Sequence, residues 1–418
     1  MKLDFKTYFL NPFQKNIATL LSGALISQII NVIGALVLAK IYAPELYGSY
    51  SVFLSFVGIL AILNSLKLEY IVITEKSEEK SINMVNTLLV IILLISILHL
   101  TFFFLFRDVF LENGIIYLIL LFSSIASLFL SKAKVFESYA NRKLLFKSIA
   151  NSRVIMSGST VLFQFILFYF SKNGLIYGFL LSMIITLLFY LLIFKRILQL
   201  PNLTLFKETF KSHKNILHFA FPSGLINSIG LYIMPILILS YFSASASGVY
   251  SLSLKVVSVP LFIISSSVSQ VYFQKASDFF NHSKHKLYNL TKKVAITNIL
   301  IMFVILILIN TLGLFFLDLF FDKNWVDLDL FVIILSFYML GQACFVPISS
   351  IIVIVNKMHI GLIFNVSLVL INIIAIYIGY KFNNIIYTVL LLSIIGGLGY
   401  ILLLFYFLSL LKTYKNEN

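Results

Sequence analysis

The chain has 418 residues, of which 60% are hydrophobic and only 11% charged, and its mean hydropathy is +1.02. No soluble domain hides that much apolar surface, because its surface-to-volume ratio forces polar residues outward, so lipid is the solvent for most of the chain. The formal charge of +15 would suggest nucleic acid in a soluble protein; here it sits in short gaps beside apolar runs, where orientation and membrane lipids account for it, and no nucleic acid is expected as a partner.

Twelve apolar runs follow one another, at 17–38, 49–66, 86–106, 114–131, 154–171, 175–194, 217–240, 249–271, 294–316, 329–350, 360–379 and 385–410. Each is close to the roughly 20 residues that cross a hydrocarbon core of about 30 Å. None alternates as a barrel strand does, so the predicted fold is an all-α polytopic membrane protein of 12 transmembrane helices. The segment before the first run is mildly basic and has no A-x-A-like cleavage site, so that run is read as retained.

The basic residues sort by gap. Of 31 Lys and Arg, 25 lie in one alternate set of gaps. Five lie in the other set, namely Lys40, Arg107, Lys172, Lys323 and Lys381, and one, Lys255, lies inside a run. By the positive-inside rule both termini are expected in the cytoplasm, as an even span count requires. The gap at 195–216 carries Lys195, Arg196, Lys207, Lys211 and Lys214. It divides the chain into an expected N-terminal six-helix lobe at 1–194, a cytoplasmic linker, and a C-terminal six-helix lobe at 217–418.

The two halves echo each other. Residues 25–55 and 225–255 align without gaps at an offset of 200, with eight of 31 positions identical, among them Gly48/Gly248, Tyr50/Tyr250 and Ser51/Ser251. A second echo pairs Asn141-Arg142 with Asn356-Lys357. Six spans per half preserve orientation, so the expected repeat is parallel, a pseudo-two-fold about the membrane normal.

Enzyme chemistry has little to work with. The one cysteine, Cys344, lies in an apolar run, the six histidines show no paired ligand spacing, and no P-loop, G-x-G-x-x-G or H-E-x-x-H occurs. A transporter without a bound cofactor or metal is the expectation. Lys255 is the sharpest residue, six residues into its run and so about 9 Å below the boundary at about 1.5 Å per residue. Ser251, Ser258, Ser265 and Ser269 recur with it as one polar stripe, which faces protein or a watery cavity, against the alternative that Lys255 snorkels to the headgroups. Gln28 and Asn31 in the first run, and Ser223, Asn227 and Gly230 in the seventh, read equally as cleft lining or as polar packing between helices. Lys67 and Glu69 end the second run as either cleft lining or headgroup anchors. Arg142, Lys143, Lys147 and Arg153 suit a phosphate ligand near the cytoplasmic mouth, although topology also accounts for them. Pro222, Pro235, Pro260 and Pro347 fall inside runs and are read as bends.

Three stretches carry a family resemblance. They are LAKIYAPELYGSYSVFLSFVGILAILNSLKLEYIVI, YANRKLLFKSIANSRV, and the segment 219–278, with its Phe-Pro entry, Gly-x-Tyr entry and polar run ending at Gln270 and Gln274. The chain resembles the polysaccharide-transport, Wzx-like oligosaccharide flippases of the multidrug/oligosaccharidyl-lipid/polysaccharide (MOP) exporter superfamily. The resemblance implies a MATE/MOP-like V of two lobes in the bacterial inner membrane, with a cationic cavity between them. It implies translocation by alternating access of undecaprenyl-pyrophosphate-linked oligosaccharide, an O-antigen or capsule precursor, with coupling to H+ or Na+. It further implies a polysaccharide polymerase and a chain-length regulator as partners. The family's basic cavity residues map to Lys255 and, loosely, to Lys67 and Arg153. The alternatives are a multidrug/cation antiporter of the same superfamily, which needs intramembrane carboxylates; a lipid II flippase, which usually has fourteen spans; and a membrane ligase or polymerase, which needs a large outer loop.

Overall fold

A computed structural model describes residues 12–108, 114–321 and 324–416. Lys2, Lys6, Asp322 and Lys323 of the charge count lie outside them. Among the described residues every regular element is a helix. The first half holds α1 (Pro12–Ile41), α2 (Pro44–Ser65), a short α3 (Glu69–Thr74), α4 (Glu78–Leu105), α5 (Gly114–Arg142), α6 (Phe146–Phe168) and α7 (Gly174–Phe194). A short α8 (Leu203–His213) precedes α9 (Phe221–Tyr241), α10 (Ala244–His282), α11 (Lys284–Leu308), α12 (Leu314–Phe320), α13 (Leu328–Phe345), α14 (Ile351–Ile354), α15 (Met358–Lys381) and α16 (Ile385–Asn416).

Among the described residues, eleven helices are long and apolar enough to cross a membrane. The remaining long helix, α6, has 23 residues, about 34 Å at about 1.5 Å each, which also suffices. Its apolarity is diluted by polar side chains that bond to α7. Ser152 Oγ meets the Tyr190 hydroxyl at 2.7 Å, Thr160 donates to Ser182 Oγ at 2.7 Å, and Gln164 Nε2 donates to the Leu175 carbonyl at 2.8 Å. In lipid such bonds satisfy groups that have no water to turn to.

Several helices outrun their hydropathy. Residues 275–293, read as a basic gap, are helical except at Ser283, because α10 and α11 continue beyond the apolar stretch. Backbone hydrogen bonding needs no lipid, so the apolar signal stops before the helix does. The prolines divide too. Pro235 and Pro260 sit in helix interiors, where each removes a backbone donor. Pro222 follows a π-helical turn, Ile216–Ala220, that runs directly into α9, and Pro347 sits in a 3-10 turn after α13.

The described chain forms two compact units, Met1–Gly34 with Leu60–Pro222, and Ala35–Ile59 with Ser223–Asn418. The first has a core of Ile71 and Val72 from α3, Met84 and Leu88 from α4, Phe136 from α5 and Tyr190 from α7. The second centres on Tyr272, Leu287, Phe345, Ile348, Ile351 and Phe407. Within the second unit a Cβ on Gly48 would collide with the Ala244 carbonyl oxygen, and one on Gly248 with that of Pro44. Positions 44 and 244, like 48 and 248, are 200 apart. These reciprocal contacts are what a two-fold repeat at the sequence offset produces. Trp325 closes the same unit, its Nε1 donating to the Ala39 carbonyl at 3.1 Å and its ring meeting Tyr47 edge-on at 5.7 Å.

Candidate functional site: a charged cluster and a solitary lysine

In the first unit a seam of serines brings α5 against α2. Ser123, Ser124, Ser127 and Ser131 are all fully buried. Asn64 donates to Ser127 Oγ at 3.0 Å, and Ser131 Oγ to the Ala61 carbonyl at 3.2 Å. Small side chains let the two backbones approach closely. One turn further along α5, the seam delivers Lys134 to the end of α2. There the chain turns through Leu66 (φ 50°) and Lys67 (φ 60°), a left-handed pair without glycine. Each such residue costs about 1–2 kcal/mol, so surrounding contacts must hold the turn in place.

The turn brings charges together. Lys134 feels the fields of Glu69, Lys67 and Glu137. Glu137 accepts from Arg153 Nη2 at 2.7 Å, tying α5 to α6. Lys67 Nζ lies 5.4 Å from the centre of the Tyr70 ring. Glu69 is only 7% exposed, and its Oε2 is buried without a hydrogen-bond partner among the described residues. Three cations and two carboxylates therefore share one site with an excess of positive charge, an arrangement that suits an anion.

Lys67, Glu69 and Arg153, the candidates named above, meet here. Lys134 and Glu137 lie beyond the apolar run 114–131, in what hydropathy alone marks as a gap, whereas α5 runs on to Arg142. Their spacing of three on a helix was the available signal.

Arg142 has another task. Its guanidinium donates to the Glu75 carbonyl, to that of Lys76 at 3.1 Å, and to those of Val72 and Ile73 at 3.5 Å each. Its Nε lies 3.3 Å from Glu78 Oε2. Glu78 Oε1 accepts from Tyr139 at 2.7 Å and faces Lys143 Nζ at 2.6 Å. These bonds fasten the connection from α3 to α4, and they occupy the guanidinium with protein groups.

Gln28 and Asn31 lie half-buried on α1, the helix that packs on α6 beside Arg153. Ser27 and Ser157 hydroxyls meet at 2.5 Å, and a Cβ on Gly23 or Gly34 would strike Ala150 or Val161.

Lys255 belongs to the second unit. It is half-buried in α10, within the apolar span Ala244–Ile263. The helix starts earlier than the run suggests, so Lys255 lies about 16 Å into a helix that continues to His282, at about 1.5 Å per residue. No carboxylate lies within ion-pair distance of it among the described residues. The serine stripe is divided in its bonding. Ser258 and Ser269 donate to Lys255 and Ser265 carbonyls at 3.3 and 2.5 Å, while Ser251 and Ser265 hydroxyls are buried with no partner among the described residues. Asn227, on α9, is exposed, next to Ser228, whose Oγ lies 3.4 Å from the Gly58 carbonyl.

The sequence pattern of a family described as polysaccharide biosynthesis protein matches residues 37–329. No curated protein matches the chain by sequence. Among solved structures, the fold is similar to that of the lipid II flippase MurJ in an inward closed conformation, with a TM-score of 0.75 and 18% identity, over 92% of this chain and 86% of that one. An inward-facing MATE family multidrug resistance transporter of the MOP superfamily gives 0.62 at 16% identity, over 94% and 95%. A MOP superfamily transporter from Pyrococcus furiosus gives 0.58 at 16% identity, over 95% and 96%.

Proposed function

Because the chain belongs to the polysaccharide biosynthesis protein family, we propose that it is a flippase for undecaprenyl-pyrophosphate-linked oligosaccharide units in the bacterial inner membrane. In this reading the termini and the linker face the cytoplasm, and two six-helix lobes rock in alternating access, driven by an H+ or Na+ gradient. The product passes to a polysaccharide polymerase and its chain-length regulator.

The observation that carries the reading is Lys255, an ammonium three turns into the apolar part of α10 with no carboxylate within ion-pair distance among the described residues. A charge there is expensive unless it meets water or an anion. A pyrophosphate headgroup supplies the anion, and a low-dielectric setting strengthens the attraction. The polar stripe beside it, with the Ser251 and Ser265 hydroxyls buried and without partners among the described residues, favours a watery or anionic setting over snorkelling. The cluster of Lys67, Lys134 and Arg153 offers a second cationic station. A cation exporter is disfavoured by the carboxylates: among the described residues of the spanning helices, each lies within two turns of a helix end.

The test is complementation of a strain lacking its oligosaccharide flippase. Lys255→Ala is expected to lower surface polysaccharide about tenfold or more, the effect of losing roughly 1.4 kcal/mol of binding, with protein level unchanged on a blot. Lys255→Arg is expected to retain more than Lys255→Gln. Full complementation by the Ala variant would return Lys255 to lipid anchoring. Rescue of cells depleted of their lipid II flippase would move the substrate to lipid II.

A further inference from the structure

Residues 195–214 join α7 to α9, yet they are fastened to α4. Asn83 Nδ2 donates to the Asn202 carbonyl at 3.0 Å, and its Oδ1 accepts from Asn202 N at 2.7 Å. Asn86 repeats the pattern, donating to the Ile197 carbonyl at 2.9 Å and accepting from Gln199 N at 3.1 Å. Two side-chain amides, one turn apart, thus imitate the edge of a sheet. Lys80 pairs with Glu208 at 3.4 Å, and Phe206 and Phe210 of α8 pack on the core of the first unit.

The fastening sets a depth. Asn83 and Asn86 lie five and eight residues after Glu78, about 8 and 12 Å along a spanning helix whose first turn holds Glu78, Glu79 and Lys80. The segment 197–202 is therefore level with the second and third turns of α4, just past its charged first turn. Ile197 packs inward and the Gln199 backbone N–H is held by Asn86, whereas the Leu198 and Leu200 side chains are 40% and 93% exposed. Leu203 follows at 65% exposed. Beside them Lys195, Arg196, Lys207, Lys211 and Lys214 are all exposed, and the only acid of the segment, Glu208, is held by Lys80.

We propose that this segment is a docking surface for anionic phospholipid, with Leu198, Leu200 and Leu203 among the acyl chains and the five cations on phosphate headgroups. Exposed apolar side chains flanked by cations without a carboxylate partner among the described residues fit a lipid surface. A juxtamembrane cation near an anionic leaflet adds severalfold to binding. The proposal does not rest on the flippase reading, and neither falls with the other.

Full-length protein in nanodiscs tests it by backbone hydrogen exchange over 195–214. One set contains phosphatidylcholine alone, and the other an equimolar mixture with phosphatidylglycerol. Exchange is expected to slow about tenfold or more in the anionic discs and to recover at high salt. Lys207→Gln/Lys211→Gln/Lys214→Gln should lose most of that response, the matching Lys→Arg variant should keep it, and Leu200→Ser/Leu203→Ser should weaken it. Protection in α7 reports that each variant is folded. Equal exchange of the wild-type protein in both discs would overturn the proposal. So would an undiminished response in the Gln variant, a lost response in the Arg variant, or slowing by soluble glycerol phosphate as large as that by the anionic discs.

Discussion

Arg142 and Lys255 are both cations near apolar helices, and their surroundings give them different work. Arg142 offers a planar fork to four carbonyls and a carboxylate, a geometry that a point charge cannot reproduce. Arg142→Lys is therefore expected to lower the stability of the purified protein by about 1.5–3 kcal/mol, the range for hydrogen bonds that involve a charged group. A fall in melting temperature in detergent checks it, and an unchanged temperature would mean that the connection from α3 to α4 is held by its apolar core alone. Lys255 has no such partners, so its loss is expected to touch transport and leave the melting temperature in place. Glu69 stands between these cases, buried like a structural group yet with one oxygen unpartnered among the described residues.

At the level of elements, the glycines separate close packing from open space. At the crossing of α2 and α10, Gly48 and Gly248 each face a backbone carbonyl that no rotamer change can move. Gly48→Ala and Gly248→Ala are each expected to destabilise by about 1–3 kcal/mol, the range for overpacking. Gly158, on α6, faces open space, with nothing within 4 Å of where a Cβ would stand, and Gly158→Ala is expected to be neutral or to stabilise by about 0.5–1 kcal/mol. Thermal melting of the three variants side by side checks the contrast, and equal effects would show that the crossing is looser than its geometry. The helix ends carry the repeat as well. α5 finishes with Leu145 N bonded to the Ala140 carbonyl at 2.9 Å and Leu144 at φ 56°. The turn after α14 has Lys357 N on the Ile352 carbonyl at 2.8 Å and Asn356 at φ 54°. Both are Schellman turns. They equate Leu144 with Asn356, three residues away from the Asn-basic echo seen in the sequence.

For the whole molecule the governing quantity is the distribution of charge between the two ends of the spans. Sorting 25 basic residues to one end and five to the other is expected to place 195–216 in the cytoplasm. A reporter fused after residue 205 checks it. Cytoplasmic behaviour is the expected outcome, and periplasmic activity would require a different span count. The same sidedness decides which leaflet the linker meets, so this fusion also fixes the leaflet of the proposed lipid contact.

Lipid as solvent, the twelve long helices, the repeat at an offset of 200 and the isolation of Lys255 were all legible in the chain. Each depends on composition and periodicity along one segment at a time, and hydrophobic transfer acts on segments in that way. The cluster was half legible: Lys67, Glu69 and Arg153 could be named, but Lys134 and Glu137 could not be joined to them. Their meeting depends on a serine seam that sets which faces of α2 and α5 touch, and on a left-handed turn at Leu66 and Lys67 that no glycine announces. The same holds for Arg142, whose partners are backbone carbonyls that carry no residue signature. It holds also for residues 35–59, whose membership in the second unit follows from close backbone approach at Gly48. Tertiary structure decided these points because they turn on contacts between helix faces, which hydropathy along a single helix does not encode.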